Sequence, residues 1–162
     1  MHPALVVQLL VLVAVANATP IFAKKVLGET FAWPLDGGAK LADSRPLFGP
    51  SKTLRGIVLT LLATPLVAVL MGLGWQVGLL VAIAAMTGDL FSSFVKRRLG
   101  LLPSSMAVGL DHIPESLFPL VAARWFLPVT LVDIAAGTAI FFVCGIALSR
   151  LLFKLRMRDE PY

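Results

Sequence analysis

From Gly56 to Gly88 the chain runs for 33 residues without an Asp, Glu, Lys or Arg. As one α-helix, rising 1.5 Å per residue, such a run would measure about 50 Å. The hydrocarbon core of a bilayer is about 30 Å thick. The run is too long for one crossing and just enough for two. Gly72-Leu73-Gly74 near its middle suits a sharp turn. The sequence therefore predicts two helices, about Leu54–Gly72 and Trp75–Phe94, with Trp75 anchored at an interface. Further apolar runs predict three more spans: about Leu5–Ile21, a short one at Ile113–Phe126, and Val129–Phe153. In the short one Pro114 fits a first-turn position and Pro119 predicts a kink, with a re-entrant segment as the alternative to a full crossing. Ala16-Asn17-Ala18 is similar to a signal-peptidase site, but only His2 precedes the apolar run, so a retained first span is expected.

Composition agrees with lipid as the solvent. Hydrophobic residues make up 58% of the chain, mean hydropathy is +0.90, and only 14% of residues are charged. An ordinary soluble domain carries about 25% charged residues, and one core of this size would not hide so much apolar surface. The expected fold is an all-α integral membrane protein with about five transmembrane helices, a single domain over residues 1–162. The cations set its orientation. Cytoplasmic loops at about 24–53 and 95–112, with Arg55 at the edge of the first, the charged C-terminal tail at 154–162 and Arg150 beside it, hold 13 of the 14 Lys and Arg residues. Arg124 alone falls on the other side. The positive-inside rule then puts the N-terminus outside and the C-terminus in the cytoplasm. The net charge of +5 would suit nucleic acid on a soluble scaffold; here it reads as topology and contact with anionic lipid, and no nucleic-acid partner is expected. Cys144 is the single cysteine, so no intrachain disulfide forms and no zinc or thiol site is indicated.

The polar residues concentrate in the cytoplasmic loops. If Asp36 to Asp43 is helical, Asp36, Lys40 and Asp43 share a face. The stretch Gly49 to Gly56 reads Gly-x-x-Lys-Thr-x-Arg-Gly, in which small residues let backbone N–H groups approach an anion, Lys52 and Arg55 add charge, and Thr53 adds a hydroxyl. It lacks the spacing of a Walker A loop, and a positive-inside loop with helix caps is the plain alternative. Helical spacing sets Asp89, Ser92, Ser93 and Lys96 on one face. Asp89 ends an uncharged span, where a carboxylate needs a cation or a metal. Lys96-Arg97-Arg98 also reads as a topology signal and a clamp on lipid headgroups. Asp111 suits a helix cap, with Glu115 in the first turn, or the two form a second carboxylate pair for a metal, with His112 as an anion contact. Oxygen ligands with no convergent His/Cys set favour magnesium over zinc. Carboxylates, a metal and several cations together describe phosphoryl or nucleotidyl transfer. The competing readings are another phospholipid-synthesis transferase, a small transporter subunit and a structural subunit. A transporter predicts a polar midplane, for which Asp133 is the one candidate, and Asp133 is expected to pair with Arg124 instead.

Taken in order, these segments resemble the CDP-archaeol synthase family, membrane cytidylyltransferases related to phosphatidate cytidylyltransferase. The residues that carry the likeness are Ala16-Asn17-Ala18-Thr19-Pro20-Ile21, Pro34-Leu35-Asp36-Gly37-Gly38 with Asp43, Arg45, Gly49, Lys52-Thr53 and Arg55-Gly56, then Gly88-Asp89, Ser93-Phe94 and Lys96-Arg97-Arg98. The chain departs from the family at Asp43-Ser44, where Asp-Gly is usual, and at Asp111-His112-Ile113-Pro114-Glu115, where the second acid comes one place late. The resemblance implies five helices in a prokaryotic cytoplasmic membrane, Mg2+, and transfer of CMP from CTP to a lipid phosphate with loss of pyrophosphate. It implies catalytic roles for Asp89, Lys96, Arg97 and Asp111. It implies phosphate contacts from Lys52, Thr53, Arg55, Ser93, Arg98 and His112, and metal ligands from Asp36, Asp43, Asp89, Asp111 and Glu115. CTP and a bilayer lipid phosphate are the expected partners, and a homo-oligomer is left open.

Overall fold

The computed structural model describes residues 1–102, 107 and 109–154, with side chains to residue 147. Most of the expected tail and part of the second loop lie outside the described residues. Five α-helices follow one another: α1 Pro3–Leu27, α2 Leu54–Leu70, α3 Trp75–Arg98, α4 His112–Ala122 and α5 Leu131–Lys154, with one 3-10 turn, Ala123–Trp125, after α4. Among the described residues there is no strand, only isolated bridges at Pro34–Thr53 and Lys40–Pro46. Helices α1 and α3 are long and apolar enough to cross a membrane, while α2 and residues 131–147 are apolar and shorter.

Each helix packs antiparallel to the one before it, and small residues set the crossings. Pro20 has no N–H, so the carbonyl of Ala16 loses its helical partner. The Thr60 hydroxyl on α2 lies 3.3 Å from that carbonyl and 2.8 Å from Gly56 O, and shares its proton between them. A Cβ on Gly56 would stand 3.1 Å from Pro20 Cβ, so only glycine permits this approach without displacement. Gly72 and Gly74 hold φ of 76° and 82°, the left-handed region that glycine enters freely, and make the expected turn between α2 and α3. At the next crossing a Cβ on Gly78 would stand 2.5 Å from Pro65 Cα. Leu9, Leu12, Val13, Val81 and Leu120 fill the centre. Leu62, Leu66, Leu70 and Val132 are 60–77% exposed, as a bundle solvated by lipid requires.

Several expectations change. α1 runs on through Lys24 and Lys25, and α3 through Lys96, Arg97 and Arg98, so the second loop starts after residue 98 rather than at 95. Cations are favourable at helix C-termini, so each helix outlasts its apolar run. α4 is shorter than expected, and its first residue is His112. The segment from Asp36 to Asp43 is a series of turns, not a helix. Asp133 is buried and does not wait for Arg124, which is exposed. It accepts from the N–H of His2 at 2.8 Å and from the Thr130 hydroxyl at 2.7 Å, and closes a reciprocal cap at the start of α5. The start of α1 packs there and supplies donors that Arg124 would otherwise have to provide.

Candidate active site

The antiparallel order brings the end of α3, the start of α4 and the start of α2 to one end of the bundle. Gly88 decides how closely. A Cβ there would stand 2.3 Å from Pro114 O, so α4 begins directly on the α3 backbone. The Ser92 hydroxyl reinforces this register, lying 2.9 Å from Gly88 O and 2.7 Å from Leu110 O. Charged residues then line the seam between the two helices. Asp89 on α3 is within hydrogen-bonding reach of Glu115 on α4. Lys52, one residue before the α2 cap, places its Nζ 2.5 and 2.6 Å from the two Asp89 oxygens. Lys96 Nζ stands 2.6 Å from Asp111 Oδ1. Asp111 does not cap α4. It has helical backbone angles, and its other oxygen accepts from the N–H of Ala107 at 2.8 Å. Thr53 caps α2 through Gly56 N and lines, with Lys52, Met86 and Asp89, a small cavity of about 40 Å3.

Arg97 is the unusual member. It is 3% exposed, and its Nη2 donates to Leu102 O at 2.8 Å. Among the described residues its Nε and Nη1 have no hydrogen-bond partner. A buried guanidinium with two idle donors is costly, and a planar fork of this kind matches a phosphate. Ser93, one turn earlier on α3, is also buried.

The remaining expected site residues do other work. Asp36 accepts from the N–H groups of Phe48, Gly49 and Gly38 at 2.9, 3.0 and 3.0 Å, and so staples the first loop across 13 residues. Burial pushes its carboxyl up, but the donors from Gly49, Phe48 and Gly38 outweigh that and hold it below the usual carboxylate value. Asp43 accepts from Arg98 Nη1 at 2.5 Å, while Arg98 Nη2 donates to Pro46 O and Arg45 Nη1 donates back to Arg98 O, each at 2.5 Å. This clasp ties the loop to the end of α3. Arg55 donates to Gly28 O at 2.7 Å and to Thr30 O, closing the end of α1. His112 turns to α5 and lies between Phe141 and Phe142, against Gly145. The structure thus brings together Lys52, Thr53, Asp89, Ser93, Lys96, Arg97, Asp111 and Glu115, and engages Asp36, Asp43, Arg55, Arg98 and His112 elsewhere. Sequence reasoning gave Arg45 no role of its own and missed the linking role of Ser92. The Gly88–Ser92 spacing of four is the one local signal for the latter.

Among the described residues no three His, Cys, Asp or Glu side chains form a ready-made metal cluster. The Asp89–Glu115 pair nevertheless suits magnesium. Two carboxylates at hydrogen-bonding distance must share a proton or a cation, and Mg2+ commonly takes one or two carboxylates and completes its shell with water and substrate phosphates.

No protein-family model matches the chain. Relatives do. It is 38% identical to the CDP-archaeol synthase of Pyrococcus furiosus over 69% of this chain and 70% of that one. It is 31% identical to that of Hyperthermus butylicus over 91% and 89%. A solved structure described as an intramembrane enzyme for archaeal membrane lipid biosynthesis superposes with a TM-score of 0.72 at 30% identity, covering 88% of this chain and 90% of the other. These relatives and the shared fold place the protein among membrane transferases. The chain belongs to the CDP-archaeol synthase family, as the motifs around Pro34–Gly38 and Gly88–Arg98 led one to expect.

Proposed function

We propose that this protein transfers CMP from CTP to a lipid phosphate at the α3–α4 seam, giving a CDP-lipid and pyrophosphate. Arg97 carries the proposal: a buried guanidinium with two donors that have no partner among the described residues, set beside the seam carboxylate Asp111. An oxygen of the lipid phosphate attacks the α-phosphorus of CTP, and the bond to the pyrophosphate oxygen breaks. The nucleophile is already an anion, so no strong general base is required. Arg97 donates to a phosphate from its guanidinium. Lys52 and Lys96, now held by Asp89 and Asp111, are placed to share their charge with phosphate oxygens as negative charge shifts to the leaving group. Asp89 and Glu115, with Asp111 nearby, would hold magnesium, which when bound supplies further charge neutralisation on the phosphates. The relatives' name points to an archaeal diether lipid phosphate as acceptor. Five crossings of a prokaryotic membrane, with the seam on the cytoplasmic side, fit the charge asymmetry.

The test is pyrophosphate release by the purified protein with CTP and magnesium. Release is expected only when a lipid phosphate is added, and faster with a diether than a diacyl acceptor. CTP turnover indifferent to every lipid phosphate would overturn the reading. A transporter has less support, because Asp133, its one candidate midplane group, is satisfied by His2 and Thr130.

A further inference from the structure

Two seam acids, Asp111 just before α4 and Glu115 in its first turn, depend on a helix ill equipped to hold itself. α4 has 11 residues, and a helix that short is marginal alone. Pro119 lacks an N–H, so the Glu115 carbonyl loses its helical partner. The neighbours must therefore fix α4. On one side Gly88 of α3 does so against Pro114 O. On the other side α5 carries a matching device, which the proposed reaction leaves unused.

Two glycines of α5 receive two side chains of α4. A Cβ on Gly137 would stand 2.9 Å from Leu120 Cδ1, and one on Gly145 would stand 2.2 Å from His112 Cδ2 and 2.6 Å from its Nε2. The two glycines are as far apart along α5 as His112 and Leu120 are along α4. Both contacts therefore form in one antiparallel register. Ser116, midway between them on α4, is wholly buried and turns its hydroxyl back to His112 O at 2.8 Å. Neither contact gives easily. Leu120 is fully buried in the core. The His112 ring is rigid and lies 6.5 Å from the Phe141 ring and 6.0 Å, edge-on, from that of Phe142. Bringing a Cβ at position 145 out to ordinary contact with that ring takes a shift on the order of 1 Å. The shift would fall on the residue that joins Asp111 to the first turn of α4.

We propose that Gly145 is a positioning residue for the seam. By admitting the His112 ring it sets how deep the start of α4 lies between α3 and α5, and so where Asp111 and Glu115 stand against Lys96 and Asp89. His112, turned away from the seam, acts on it from behind. The link to turnover rests on the proposed reaction, whereas the fit of His112 into α5 does not.

Full-length variants in nanodiscs test this by turnover, magnesium requirement and thermal unfolding. Gly145→Ala should lower kcat about 10²-fold, as a misplacement of about 1 Å can, and raise the half-saturating magnesium concentration about tenfold. Adding His112→Ala, which makes room for the new methyl group, should recover most of both and most of the lost Tm. Gly137→Ala, which strikes Leu120 at the far end of α4, should lower Tm but leave the magnesium requirement at its parental value. A reduced rate at parental magnesium requirement in Gly145→Ala, or an equal rise in Gly137→Ala, overturns the positioning role. No recovery in the double variant overturns the fit, also where Gly145→Ala alone fails to fold. His112→Ala as inactive as Asp89→Asn would make His112 a direct contact and overturns the proposal too. The recovery of Tm needs no turnover, so an inactive parent sinks the proposed reaction and leaves the fit standing, while an active parent without recovery does the reverse.

Discussion

The α3–α4 seam and the first loop, residues 28–53, are both rich in charge, but they spend it differently. In the loop both aspartates are bound to groups of the loop or its anchor: Asp36 to three backbone N–H groups, Asp43 to Arg98 and to Arg45 N–H. In the seam, two carboxyl groups are pressed together at Asp89 and Glu115, and two donors of Arg97 have no partner among the described residues. A satisfied charge holds a fold. A charge left with unmet capacity in a buried place waits for a ligand. The contrast supports the proposed reading, in which the loop is scaffold and the seam is the site.

The largest effect that would sharpen this contrast is at Asp89. Asp89→Asn should abolish turnover while far-UV helix content stays intact; appreciable activity in that variant would remove Asp89 from the chemistry. Next, Arg97→Ala should lower kcat/KM by about 10²–10³, the usual loss when one preorganised donor to developing charge is removed. Arg97→Lys should restore little of it, because an ammonium lacks the planar fork. Ser92→Ala removes the link from α3 to Leu110 O and should cost about 1 kcal/mol of stability, with a roughly tenfold fall in kcat/KM read in the same assay. Asp43→Asn should change turnover less than about threefold, since an exposed ion pair contributes little. A loss at Asp43 as large as at Asp89 would erase the distinction between the regions. The smallest effect is in pH. The folded Asp36 carboxyl titrates below its unfolded value of about 3.9. Its stabilisation is therefore complete above that value and fades only as pH falls through the lower folded value. Thermal stability of Asp36→Asn and the parent should differ by a constant amount from about pH 5 to 8 and converge in stronger acid. Divergence on acidification would contradict the staple.

The helices were legible because apolar runs, Pro20, Gly72 and Gly74 act locally. The seam was legible in part. Asp89, Ser93 and Lys96 share a face by spacing alone, and Asp89 had no other use at the end of an uncharged span. The loop was not legible. The partners of Asp36 lie 12 and 13 residues on, beyond any helical or strand period, so helical spacing misplaced it. Asp133 and His2 are separated by 131 residues, and only the packing of α1 against α5 reveals them as partners. His112 followed Asp111 in the chain, yet one residue of helix rotation turned it from α3 to α5.

Pyrophosphate release by Asp89→Asn and Asp43→Asn, measured side by side with CTP, magnesium and a diether lipid phosphate, tests the central claim most directly. The account predicts near-parental rates for Asp43→Asn and none above background for Asp89→Asn. The reverse order would contradict it.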